Sequence, residues 1–147
     1  MTVNLHRKPK GLGEPLGRYS HVAVVADGDP VLIAGQVGMT EDGELYGDGS
    51  FADQVRGAYA NLGTALAAVG GTFADIAKMT TYLVGGGTHL PEFMSVRGEV
   101  FADIYPDGGY PPNTLLFVER LVEEPLLIEV EAIAAVPGAA QVGVDDA

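Results

Sequence analysis

The sequence predicts an α+β fold in the order ββαβαββ, with one sheet carrying two helices on one face. Three observations predict it: two apolar stripes at helical spacing, several β-prone apolar runs, and Gly- and Pro-rich breaks between them. With 147 residues, 47% of them apolar, and no recognisable linker, one compact domain is expected over residues 19–136. An N-terminal arm is expected at 1–18 and a disordered acidic tail at 137–147.

The arm mixes Gly, Pro and charge without periodicity, which reads as loose attachment. Residues 19–26 and 31–34 are β-prone and apolar. Asp27-Gly28-Asp29-Pro30 between them favours a tight reversal, so a β-hairpin is expected. Residues 40–49 (TEDGELYGDG) are acidic and Gly-rich but lack the alternating ligands and terminal Glu of a calcium loop, which leaves a surface loop. Ser50, three residues ahead of Asp53, opens a helix. Its Phe51, Val55, Tyr59, Leu62, Leu66 and Val69 recur at steps of 4, 4, 3, 4 and 3, and Gly70-Gly71 stops it. Burial of each large side chain is worth about 1.5–3 kcal/mol, enough to dock this stripe on a sheet.

Residues 76–84 (IAKMTTYLV) form the next strand, ended by Gly85-Gly86-Gly87. Those glycines lack the Lys-Ser/Thr of a phosphate loop and read as a connector. A second helix is expected from near Thr88, with Pro91 in its first turn and a stop before Pro106; Phe93, Val96, Val100 and Ile104 face inward. Residues 113–121 and 126–135 complete the strands. In the last of these, period two puts Leu126, Ile128, Val130, Ala132 and Ala134 on one face and Glu129 and Glu131 on the other. Carboxylates so placed are about 6.5–7 Å apart, and one of them can serve as a general base; the bland alternative is a solvent-facing strand with charged gatekeepers.

Eight Lys plus Arg against twenty Asp plus Glu give a charge of −12, and four of the eight cations (Arg7, Lys8, Lys10, Arg18) precede residue 19. Such an acidic body repels phosphate backbones and anionic lipid, so no nucleic-acid or membrane partner is expected. The absence of cysteine excludes disulfides and thiol chemistry. No signal-like or membrane-length apolar run occurs, and a cytoplasmic protein is expected. His6, His21 and His89 stand at no ligand spacing, so no metal is expected. Ser20 and Ser95 lack the glycines of a nucleophile elbow.

Tyr19-Ser20 opening the first strand, Ala34-Gly35-Gln36 closing the second, Gln54 and Asn61-Leu62 in the first helix, and Glu129-Val130-Glu131-Ala132-Ile133-Ala134 near the end together resemble the RidA (YjgF-type) family of enamine/imine deaminases. The resemblance covers about residues 19–135. It implies a chorismate-mutase-like fold and a homotrimer whose sheets line a central barrel-like space, with ligand clefts between subunits. It also implies hydrolysis of a small imine, enamine or carbonyl ligand at C=N with release of ammonia, without a cofactor. Glu129 matches the family's catalytic glutamate, which activates water. Tyr19 and Thr114 would position ligand and water, and Gly35 and Gln36 would frame the ligand.

Typical members carry Pro-x-Arg at the start of the strand after the second helix, and that guanidinium grips the substrate carboxylate. This chain reads Pro111-Pro112-Asn113-Thr114 there. Loss of a hydrogen bond to a charged group, roughly 1.5–3 kcal/mol, weakens binding some tens of times unless something compensates. Arg97, at a position commonly Asn in the family's second helix, is the candidate; its alternative role is an exposed residue paired with Glu92 or Glu99. The Pro-x-Asn-Thr-Leu pattern resembles aminomuconate-type and pathway-specific relatives. A non-catalytic ligand-binding or regulatory trimer is the alternative to a deaminase.

Overall fold

The computed structural model describes residues 2–143. Strands β1 (Val3–His6), β2 (Val22–Val25) and β3 (Asp29–Val37) precede helix α1 (Phe51–Ala67). Strand β4 (Ile76–Val84), helix α2 (Leu90–Ile104) and strands β5 (Asn113–Val118) and β6 (Ile128–Val136) follow. The fold is α+β, as the sequence predicts. Four strands form one sheet in the order β3-β6-β4-β5, antiparallel except for the parallel β4–β5 pair, and β1 with β2 forms a separate antiparallel ribbon.

The hairpin expected between residues 19–26 and 31–34 is not formed. Strand β2 takes β1 as its partner, with Val3 opposite Val25, while β3 pairs with β6. The extent of β3 accounts for this, because it starts at Asp29 and offers β6 a nine-residue partner. Pro30 cannot donate to a ladder and is tolerated because β3 is an outer strand of the sheet. At Gly28, with φ 101°, the chain passes so near β6 that a Cβ would meet the backbone of Ala135 and Val136. The single sheet of the sequence reading is therefore a four-stranded sheet plus a ribbon. Nor is the arm loose at its start, since Val3 is only 3% exposed. Within the expected disordered tail, Ala139–Gln141 form a 3-10 turn, held where the Ala140 N–H donates to Asp29 Oδ2 at 3.0 Å. Residues 144–147 of that tail lie outside the described residues.

Both helices begin and end where the sequence places their signals. Ser50 accepts the Asp53 N–H at 3.2 Å, and the Gly71 N–H bonds the Leu66 carbonyl at 2.9 Å beyond Gly70 at φ 75°. Pro91 sits in the first turn of α2, which ends before Tyr105. Val55, Tyr59, Leu62 and Leu66 of α1 and Phe93, Val96 and Phe101 of α2 share one core with the inward faces of β4 and β6. Val100 and Ile104, expected inward, are only partly buried, and Arg97 and Phe101 occupy the inner face beside Phe93 and Val96. In β6 the alternation is as read: Ile128, Val130, Ala132 and Ala134 are buried, and Glu129 and Glu131 stand half-buried on the face that no helix covers.

Two side-chain amides brace the strands that carry the candidate residues. Buried Gln54 donates to the carbonyls of Gly49 (3.1 Å) and Pro125 (2.9 Å) and accepts the Leu127 N–H (2.9 Å). Asn61 donates to the carbonyls of Val37 and Met39, both at 2.8 Å. A buried amide so fully satisfied fixes the backbone on either side of it. No helix among the described residues is long and apolar enough to cross a membrane.

Candidate functional site

The residues singled out by sequence fall into two groups, one where the start of β5 meets α2 and one across β3 and β6, and Thr114, opposite Thr80, turns its side chain to the face that carries Glu131. The first group lines a cleft of about 460 Å³ where the start of β5 meets α2 and the chain at 16–19. Tyr19, Arg97, Asn113 and Thr114 all contribute to it, with Leu90 and Leu115 among its apolar walls.

Arg97 is 3% exposed. Its guanidinium carbon lies 5.0 Å from the ring centre of Phe93 and 5.2 Å from that of Phe101, and one terminal nitrogen contacts Met94 Sδ at 3.6 Å. Its Nε has no partner, and no ion pair among the described residues includes it. The exposed, acid-paired alternative is thereby overturned: Glu99 pairs with Arg56 at 3.3 Å, and Glu92 faces His89 at 4.0 Å. Burial pulls the Arg97 pKa below the usual arginine value, Tyr59 opposes this, and Arg18 adds to it. Two aromatic faces return roughly 1–2 kcal/mol each when desolvated, whereas burying an ion costs several kcal/mol. The balance leaves a cation that gains from an incoming anion.

Around it, the Tyr19 hydroxyl accepts the Leu16 N–H at 3.2 Å. Asn113 Oδ1 accepts from the Thr81 hydroxyl at 2.9 Å. Thr114 Oγ1 accepts from Lys78 Nζ at 2.8 Å, and Lys78 also donates to the Met79 carbonyl at 2.6 Å. Partial burial lowers the Lys78 pKa, against the pull of Glu131.

The second group, Gly35, Gln36 and Glu129, lies across β3 and β6. The ladder is irregular between Ile33 and Gln36, and a Cβ at Gly35 would collide with the Glu129 carboxylate. Glycine is therefore what lets that carboxylate lie over β3. Gln36 turns back to donate to the Ala34 carbonyl at 3.1 Å. Beside them Glu131 accepts from the Tyr82 hydroxyl at 2.9 Å, a bond that raises the tyrosine's pKa.

Sequence reasoning missed Lys78, Tyr82, Thr81 and Tyr59. Alternation along β4 already separates Lys78, Thr80 and Tyr82 from Met79, Thr81 and Leu83, but the neighbours of those residues depend on β6 entering between β3 and β4. Because β4 separates β6 from β5, the two candidate groups lie about two strand spacings, or ~10 Å, apart across the sheet. Glu129 and Arg97 also project from opposite faces, so one chain does not gather both around one small molecule.

Ser20 Oγ donates to the Tyr110 carbonyl at 2.7 Å, and His21 Nε2 meets the Gly13 carbonyl at 3.0 Å, so neither is aligned as nucleophile or base. Among the described residues no cluster of three or more His, Cys, Asp or Glu could hold a metal ion.

Residues 11–136 match the family model described as Endoribonuclease L-PSP. The RutC family protein YjgH of Escherichia coli is 38% identical over 100 residues, covering 63% of this chain and 75% of that protein. The RutC family protein PH0854 of Pyrococcus horikoshii is 32% identical over 122 residues, 82% of this chain and 89% of its own. Among solved structures, the Rid-family protein YyfB of Yersinia pestis superposes with a TM-score of 0.81 at 28% identity, covering 92% of this chain and 100% of its own. With a family model matched over most of the chain and relatives and solved structures that agree with it, the chain belongs to the Endoribonuclease L-PSP family, whose members are also called RutC, Rid or YjgF proteins.

Proposed function

We propose that the protein hydrolyses the C=N bond of a small, carboxylate-bearing enamine or imine, releasing ammonia, in clefts between neighbouring copies of a homotrimer. The observation that carries this reading is Arg97, a buried guanidinium without a carboxylate partner that lines a cleft beside Asn113. An anion arriving there replaces the hydration that burial removed. Arg97 thus takes the role that the arginine before Thr114 plays in typical members, and Asn113 adds an uncharged hydrogen bond.

Glu129 reaches the substrate from the uncovered face of a neighbouring copy. That face exposes Leu32 (78%) and Ile133 (47%), apolar surface that an assembly covers, and β5 leaves one edge unpaired. Glu129 accepts a proton from water as the oxygen attacks the imine carbon. The C=N π pair moves to nitrogen, which takes the proton back from Glu129 to give a tetrahedral amino alcohol; its hydroxyl hydrogen then passes to nitrogen, the C–N pair leaves with ammonia, and the freed O–H pair forms the C=O bond. Tyr19 and Thr114 orient ligand and water, and Gly35 keeps Glu129 in place. The reaction uses no cofactor.

A ligand-binding trimer without turnover is the second reading, favoured by Gln36 being folded onto its own strand and by Asn113 standing in for arginine. The ribonuclease in the family's description finds less support in this chain, because a charge of −12 repels a phosphate backbone and one buried arginine is not a phosphate track. The test is ammonia release from freshly generated 2-iminopropanoate and 2-aminomuconate, compared with spontaneous hydrolysis and with Glu129→Gln protein. Acceleration that depends on Glu129 supports the deaminase. Binding without acceleration moves the function to the second reading.

A further inference from the structure

We infer that Lys78 is a nucleophilic amine that captures small uncharged aldehydes or ketones as a reversible Schiff base, in a cavity on the sheet face that no helix covers. This site is separate from the Arg97 cleft and stands whether or not that cleft binds a substrate. The cavity, of about 430 Å³, has Leu32, Ala34 and Ile133 as apolar walls, and Lys78 and Glu131 are its two charged side chains. It has no second cation to receive a carboxylate and already holds one carboxylate of its own. An uncharged carbonyl compound with a short apolar chain suits such a space, and an oxo acid does not.

The contacts of Lys78 favour a free amine. Its Nζ donates to the Met79 carbonyl at 2.6 Å and to Thr114 Oγ1 at 2.8 Å. Both acceptors are uncharged, and no ion pair among the described residues includes Lys78. Glu131 accepts instead from the Tyr82 hydroxyl at 2.9 Å. An ammonium has three hydrogens to place, whereas a neutral amine gives its two to these acceptors and keeps a lone pair. Burial acts in the same direction and lowers the Lys78 pKa, against the pull of Glu131. The lone pair adds to the carbonyl carbon as the C=O π pair moves to oxygen, and a proton passes from nitrogen to that oxygen to give a carbinolamine. The nitrogen pair then forms C=N as the C–O pair leaves on oxygen, which takes a proton from solvent and departs as water. The iminium keeps one N–H for the Met79 carbonyl or Thr114 Oγ1.

The chain has three lysines, so Lys8 and Lys10, both exposed, are controls within the same molecule. The homotrimer proposed above would turn the Lys78 face toward the space between its copies, so the probes are small and the assembled protein is the one treated. Butanal with cyanoborohydride in mildly alkaline buffer reduces each imine to a stable amine, which peptide mass spectrometry locates. Lys78 is expected to be alkylated about tenfold faster than Lys10. Glyoxylate in place of butanal should lower the rate at Lys78 relative to Lys10 about fivefold or more, and Glu131→Gln should remove most of that discrimination. Comparing two probes on one amine cancels any change in its basicity, and dividing by Lys10 cancels the reactivity of the probes. Lys78→Met should lose this adduct and keep those at Lys8 and Lys10. Alkylation of Lys78 no faster than of Lys10, or a discrimination between the probes that is absent in the wild type or unaltered in Glu131→Gln, overturns the inference.

Discussion

Mixing two crippled variants asks directly whether Arg97 and Glu129 meet across a subunit boundary. Arg97→Gln should lose roughly tenfold to a hundredfold in kcat/KM, the value of one hydrogen bond to a charged group, and Glu129→Gln about a hundredfold or more, the value of a general base. Co-assembled at equal amounts, the two chains distribute at random around a trimer. A cleft works when one copy keeps Arg97 and its neighbour keeps Glu129, and each condition has a probability of one half, so about a quarter of wild-type activity returns. If both side chains acted from one chain, no mixed trimer would hold a complete cleft, and the mixture would stay near its parents, at about 5% or less. The ~10 Å across the sheet, and the opposite sides of it on which Arg97 and Glu129 stand, make the first outcome the expected one. The assay is the initial rate of ammonia release at low substrate, with light scattering to count copies. A mixture no faster than its parents, or a particle that is not a trimer, refutes the reasoning.

Two more outcomes follow from the same contacts. Gly35→Ala drives a Cβ against the movable end of Glu129, so activity should fall about a hundredfold, the usual cost of misplacing a catalytic group by ~1 Å, while the melting temperature shifts little; a normal rate would mean that Glu129 does not act from over β3. Burial raises the Tyr59 pKa to about 12 and also raises that of Tyr105, whose hydroxyl donates to the Phe73 carbonyl at 3.1 Å. Both are neutral when folded and ionise near pH 10 when unfolded, so their stabilisation is complete below pH 10 and is lost as pH rises toward 12, by about 1.4 kcal/mol per pH unit for each. Urea unfolding between pH 9 and 11.5 should show this slope, with Tyr59→Phe removing about half; an identical slope in that variant would disprove the assignment.

Local signals were enough for the helices. Ser50, Gly70-Gly71 and Pro91 act within a turn of chain, and the stripe of α1 and the alternation of β6 each imply a buried face without any partner being named. Strand pairing was not legible in the same way. Asp27-Gly28-Asp29-Pro30 has the composition of a tight reversal, yet the competing partner for β3 lies about a hundred residues further on, and no local pattern announces it. The reading of Val3–His6 failed for a related reason: four residues paired to β2 need no periodicity of their own beyond one buried valine. At the site, the carboxylates of β6 and the substitution at Asn113 were visible in sequence. The burial of Arg97 was not, because a cation on the inner face of α2 breaks the hydropathy pattern and only the rings of Phe93 and Phe101 explain how it is housed. Thr81 stayed hidden because it looks like an ordinary core position until its hydroxyl is seen on Asn113 Oδ1.

The three hydrogen bonds of Gln54 separate one stretch of chain from the chemistry downstream. By holding the Pro125 carbonyl and the Leu127 N–H together, this one side chain sets the phase of β6 before the strand begins. A slip of a single residue would turn Val130 outward and Glu129 into the core. Whatever happens ahead of Pro125 is stopped at that clamp. Residues 119–125, apart from buried Leu121, are exposed, so they form a tolerant hinge-point for insertion: extra residues or an affinity tag placed there would lengthen a loop without moving Glu129.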